Sequence, residues 1–238
     1  SPRFQDRYIH SHRCYYHRSV YNMSKKYEIF LFDLDGTITD SALGITNSVM
    51  YALKKFGIEE TDRTKLYKFI GPPLTESFEK FYGFTKEQSL DGVKYYREYY
   101  HDKGIYENRV YDGLEEVLKK INEAGKQAIV ATSKPEKYAK IIIDHFHLTQ
   151  YFACVAGMEM DGGRGTKAQV ITYALEKNDI TDKSNVLMIG DREHDVIGAH
   201  ENGLDCLGIL YGFGSRKEFE EAGADYIREN VEDILQFV

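Results

Sequence analysis

Five short apolar segments constrain the fold of this chain more than any other feature. They lie at 27–33 (YEIFLFD), 126–132 (KQAIVAT), 151–156 (YFACVA), 185–190 (NVLMIG) and 204–210 (LDCLGIL). None alternates apolar with polar residues, so each reads as a strand buried on both faces. Helical patterns lie among the later ones. GLEEVLKKINEAG sets Leu114, Val117, Leu118 and Ile121 on one face and stops at Gly125. In PEKYAKIIIDHFHL, Pro135 suits the first helical position and Ser133 reads as a cap before it. KAQVITYALEKN and EHDVIGAHENG follow the same logic. Strands alternating with helices predict an α/β fold: a parallel five-stranded sheet flanked by helices, with right-handed crossovers.

One gap breaks this alternation. More than 90 residues separate the first strand from the second without a convincing strand, far more than a crossover needs. SALGITNSVMYALKKFG, TDRTKLYKFIG, LTESFEKFYGF and TKEQSLDGVKYYREYYHDKG all read as helices. The expected organisation is therefore an α/β core from 23–40 and 111–238, with residues 41–110 as an inserted all-α cap domain. The insert is rich in aromatic residues. Most are expected to fill its core, with Tyr67 or Phe69 facing a ligand.

The first strand raises a chemical question. Its apolar run ends in Asp33-Leu34-Asp35-Gly36-Thr37, and a carboxylate beside an apolar core is costly unless something pairs with it. Ligands of open α/β sheets bind beyond the carboxyl ends of the strands. The second strand ends there in Thr132-Ser133-Lys134 and the fourth in Gly190-Asp191, with Asp195 four residues on; Lys167 opens the helix after the third. The carboxylates cannot all ionise together without a cation. Their all-oxygen character suits Mg²⁺, which keeps waters and favours a substrate phosphate as a further partner. Thr132 and Lys167 supply a hydrogen bond and a positive charge for phosphoryl oxygens.

Charge and cysteine usage exclude other classes. The net charge of −7 argues against a nucleic-acid polymer as partner. No apolar run approaches the roughly 20 residues of a membrane span. Cys14, Cys154 and Cys206 are widely spaced and form no CxxC pair, which suits a reducing compartment, and a cytoplasmic location is expected. Residues 1–26 hold six Arg and Lys against Asp6 alone, a charge of +5 that leaves −12 for the rest. Residues 1–22 show no period, and Met23 opens MSKKYEIF; the expectation is a basic extension outside the fold.

Four motifs together resemble the haloacid dehalogenase superfamily in its phosphatase branch: FDLDGT (32–37), IVATSKP (129–135), Lys167 in RGTKAQVI, and MIGDREHD (188–195). LYGFGSRKEFEEAGADYI (210–227) resembles the end of phosphoglycolate-phosphatase-like members and FIGPPLTESF (69–78) their cap, and the sequence as a whole resembles both these and 5′-nucleotidase-like members. The resemblance spans about 27–236 and implies a Rossmann-like core with a helical cap. It implies Asp33 as the nucleophile that becomes an aspartyl phosphate, and Asp35 as general acid and then base. Asp33, the Asp35 main-chain carbonyl and Asp191 would hold Mg²⁺, and Thr132 and Lys167 would grip the phosphoryl group. Asp195 would support the metal shell or pair with Lys167. Lys134 is balanced between substrate contact and a solvated charge, and His194 reads as a helix-surface residue. Asp35 also counts against dehalogenase activity, whose members lack an acid two residues after the nucleophile.

The expected activity is hydrolysis of a small phosphorylated metabolite, leaning to nucleoside 5′-monophosphates, by a monomer or homodimer. The alternatives are a phosphoglycolate phosphatase, a sugar-phosphate mutase or phosphotransferase built on the same motifs, and a non-catalytic phospho-ligand binder.

Overall fold

The computed structural model describes residues 25–238, so the expected extension at 1–22 lies outside the described residues. The central element is β1 (Ile29–Phe32). The chain then crosses a two-residue strand, β2 (Thr39–Asp40), into helices α1 (Ala42–Lys55), α2 (Leu74–Tyr82) and α3 (Lys86–Tyr100). It returns through β3 (Arg109–Val110). The remainder runs α4 (Leu114–Glu123), β4 (Gln127–Pro135), α5 (Glu136–His145), β5 (Phe152–Met158), α6 (Lys167–Lys177), β6 (Val186–Gly190), α7 (Glu193–Glu201), β7 (Asp205–Ile209), α8 (Arg216–Ala222) and β8 (Tyr226–Arg228).

Six of these strands form one parallel sheet in the order β5-β4-β1-β6-β7-β8. The unbroken apolar character of the strands has a direct cause. Phe30 and Phe32 enter the core layer on one face of the sheet and Leu31 the layer on the other. Leu187 and Ile189 of β6 divide from Met188 in the same way. Each such buried side chain contributes about 1.5–3 kcal/mol. The order reverses at β1, which lies between β4 and β6, so the crevice beyond its carboxyl end is the expected ligand position.

The sheet has one strand more than the five expected. β8 is three residues long at the sheet edge, and Ile227 and Arg228 are only half-buried, so no apolar run announces it. TDRTKLYKFIG also departs from expectation. Its residues Arg63–Phe69 form a 3₁₀ helix, opened by Asp62 accepting from the Thr64 amide.

The insert is joined to the core by paired strands. β2 and β3 run antiparallel, matching Thr39 with Val110 and Asp40 with Arg109. Between them, α1 and α2 both pack on α3. An aromatic cluster fills the interior, with Phe78 stacked on Phe84 at 5.4 Å and Phe69 edge-on to Phe78 at 5.2 Å. Thr85 closes the start of α3 with a capping box to Gln88.

Candidate active site

The loop after β1 turns sharply. Gly36 sits at φ 84° and its amide donates to the Thr39 carbonyl at 2.8 Å. A Cβ there would drive into the Asp191 carboxylate, so glycine is required both for the turn and for the close approach. The turn leaves Asp33 and Asp35 at the crevice, 2% and 5% exposed.

Asp33 meets Lys167 first. The Lys167 ammonium donates to Asp33 Oδ1 at 2.8 Å and to the Ala131 carbonyl at 3.0 Å, and forms an ion pair with Asp195 Oδ1 at 3.0 Å. The position of Lys167 follows from local sequence: Thr166 caps α6 in a capping box with Gln169, which makes Lys167 the first helical residue. Asp195 in turn accepts from the Arg192 amide at 3.1 Å, closing the first turn of α7. Burial works against the Lys167 ammonium, but Asp195 and Asp33 outweigh it and hold its pKa above the ordinary value. Burial, with the Asp195 charge, pushes Asp33 up despite that lysine.

Asp191 ends β6. Its Oδ2 accepts from the Phe213 amide at 3.0 Å, and Thr37 Oγ1 donates to Oδ1 at 3.4 Å. Burial and then the Asp33 charge push Asp191 well above the usual carboxylate range. Four buried carboxylates, Asp33, Asp35, Asp191 and Asp195, therefore face two buried lysines, Lys134 and Lys167. With all four ionised, two negative charges would remain, and Asp33 Oδ2 and Asp35 Oδ1 are buried without a hydrogen-bond partner. A divalent cation with oxygen ligands fits this imbalance. A second acidic grouping, Asp33, His194 and Asp195, brings ligand-type atoms within 4.8 Å of one another, but Lys167 is already paired with its two carboxylates.

Thr132, Ser133 and Lys134 share an irregular stretch. The β4–β5 register passes from Ala131 opposite Ala156 to Pro135 opposite Met158, which places two extra residues on β4. Beyond this irregularity, Ser133 and Lys134 line the cavity that also holds Asp35. Thr132 Oγ1 accepts from the Lys134 amide at 3.1 Å and keeps its own proton to donate.

Two expectations are corrected and one open reading is decided. Ser133 does not cap α5: Pro135 takes the N-cap position with no side-chain bond, and the buried Ser133 Oγ has no partner. Lys134 is not a solvated charge: its ammonium lies 3.2 Å from Asp35 Oδ2 and donates to Tyr100 Oη at 2.5 Å. His194 is less open than a helix-surface residue: its side chain is half-buried, its Nε2 is buried without a partner, its ring lies under the Gly71 loop, and burial pushes its pKa down.

A cavity of about 460 Å³ opens from Asp35 and Lys134 between the insert and the core. Tyr96, Tyr100, Tyr138, Val93, Pro73 and Met158 line much of it. Phe69 reaches its wall from the aromatic cluster, but Tyr67 packs against Phe213 at 5.8 Å instead. Sequence reasoning passed over Tyr96, Tyr100 and Tyr138. The available signal was the spacing of Tyr96 and Tyr100, which share one helix face.

A model of the haloacid dehalogenase-like hydrolases matches residues 30–209. A 5′-nucleotidase of Pseudomonas aeruginosa is 45% identical over 193 residues, covering 81% of this chain and 87% of that protein. The tyrosine-protein kinase PtkA of Mycobacterium tuberculosis is 35% identical over 188 residues, 79% of this chain but 63% of that protein. Among solved structures, a predicted phosphatase from Clostridium acetobutylicum superposes with a TM-score of 0.86 at 48% identity, covering 88% of this chain and 97% of that one. The chain belongs to the haloacid dehalogenase-like hydrolases and is a phosphatase of that family.

Proposed function

We propose that the protein hydrolyses nucleoside 5′-monophosphates through a phosphoryl group carried on Asp33. The observation that carries the reading is the pairing of one Asp33 oxygen with Lys167 while the other is buried and unpartnered. Such a carboxylate is oriented for attack on phosphorus. As its bond to phosphorus forms, the ester bond breaks and Asp35 gives a proton to the leaving oxygen. In the second half, Asp35 takes a proton from the water that attacks the aspartyl phosphate, and phosphate leaves. Lys167 and the Thr132 hydroxyl stabilise the charge on the transferred phosphoryl oxygens. Mg²⁺ held by Asp33, Asp191 and the Asp35 main-chain carbonyl would supply charge neutralisation between carboxylate and phosphate.

The cavity supports the choice of substrate. Its roughly 460 Å³, walled by Tyr96, Tyr138 and Val93, greatly exceeds what a two-carbon acid such as glycolate can fill. A planar base can stack there. We read the helical insert as the cap that covers this cavity and keeps bulk water from the aspartyl phosphate.

Phosphate release with Mg²⁺ from nucleoside monophosphates, phosphoglycolate and sugar phosphates tests the reading. Preferred turnover of nucleotides, lost with EDTA and restored by Mg²⁺, is expected. Transfer to another acceptor without free phosphate would indicate a phosphotransferase instead.

A further inference from the structure

Asp35 has to present one oxygen to the leaving group, and the partner that holds its side chain does not come from its own loop. What fixes it comes from two other elements. Lys134 Nζ lies 3.2 Å from Asp35 Oδ2, and both side chains are buried. The same ammonium donates to Tyr100 Oη at 2.5 Å and sits 4.4 Å from the centre of that ring. Tyr100 belongs to α3 of the insert and is itself locked, stacked on Tyr96 at 5.2 Å and edge-on to Tyr138 at 5.4 Å. Asp35 Oδ1, the oxygen not held, has no partner, and Asp35 lines the large cavity.

We propose that Lys134 and Tyr100 form a positioning pair for Asp35, which aligns that carboxyl for proton transfer to the leaving oxygen only while α3 is docked on the core. The proposal rests on the hydrolytic reading above. A lysine ammonium has three donors and no acceptor, and its four-carbon stem is flexible. Without the phenol oxygen it has no second anchor, and the carboxyl it holds loses its direction. Because Tyr100 is on the insert and Lys134 on β4, the contact joins insert docking to the chemistry. An open insert would leave Asp33 competent to attack but Asp35 poorly aimed.

The readout is the dependence on leaving group. Esters of a simple alcohol need a proton on the departing oxygen, whereas nitrophenolate leaves without one. The comparison uses kcat/KM, which covers the steps up to the aspartyl phosphate. For Tyr100→Phe in the full chain, kcat/KM should fall about tenfold or more on alkyl phosphates and stay within about twofold on p-nitrophenyl phosphate. Lys134→Met should show the same split and serves as the second variant if Tyr100→Phe folds poorly. No loss, or an equal loss on both esters, overturns the positioning role, since a merely loosened insert would affect both alike. A wild-type protein inactive on every ester would overturn the hydrolytic reading instead.

Discussion

The Asp33 end of the cleft and the Tyr96 end differ in what holds them together. At Asp33, a buried lysine is clamped by two carboxylates and a main-chain carbonyl, within 2.8–3.0 Å. At Tyr96, rings pack on rings: Tyr96 on Tyr100, and Tyr100 on Tyr138, about 5 Å apart. The first arrangement is directional and intolerant, because every member is desolvated and a missing partner leaves a bare charge. The second is broad and tolerant, since apolar contact depends on area more than on angle. In the reading proposed above, the first end carries the reaction and the second selects the ester.

Breaking the charged end should have the largest effects. Asp33→Asn is expected to lower phosphate release by at least about a thousandfold, because it removes the attacking oxygen, while thermal melting shows a folded protein. Lys167→Met should abolish activity and also cost about 3–5 kcal/mol of stability, read from denaturant unfolding, because it strands Asp33 and Asp195 in the interior. A Lys167→Met protein as stable as wild type would show that these carboxylates are hydrated or protonated rather than paired.

The aromatic end should respond more gently and more selectively. Tyr96→Ala is expected to reduce kcat/KM for nucleoside monophosphates by about tenfold, the scale of one lost base-stacking contact. Small alkyl phosphates should lose less than nucleotides, since they do not reach that wall and feel only the loosening of Tyr100, which stacks on Tyr96. Equal losses on both would remove Tyr96 from substrate selection.

The smallest effect should lie far from both ends. Asp205 is pulled upward by burial, but hydrogen bonds from Tyr27 and Lys25 outweigh this and hold it below the usual carboxylate range. A depressed folded-state pKa stabilises above the unfolded value, near 3.9, and that contribution is lost as pH falls through the folded value. Asp205→Asn should therefore lower stability slightly at neutral pH and flatten its loss in the acid limb below about pH 4. Parallel unfolding curves for the two proteins in that range would contradict this.

The two ends were also unequally legible in the sequence. The charged end could be read because Asp33, Thr132, Lys167 and Asp191 each lie where an apolar run stops or a helix starts, and sheet topology brings such positions together. Lys134 was left open and His194 was read as more exposed than it is, since their surroundings come from the insert: Tyr100 meets one and the Gly71 loop covers the other. Ser133 was misread because the usual preference for a serine cap competes with Pro135, whose extended backbone starts α5 without side-chain help. In the insert, a count of aromatic residues gives the presence of a packed core but not which rings face the cavity. Tyr67 and Phe69 are near neighbours in sequence, yet one packs on Phe213 and the other fills the interior.

The most direct test is to find the phosphoryl group. The protein would be mixed with Mg²⁺ and a nucleoside monophosphate, quenched in acid during turnover, and digested for mass spectrometry. The account predicts a phosphorylated peptide containing Asp33, absent from Asp33→Asn and absent without Mg²⁺. Steady phosphate release with no label on Asp33, retained in Asp33→Asn, would contradict it and point to direct attack by water.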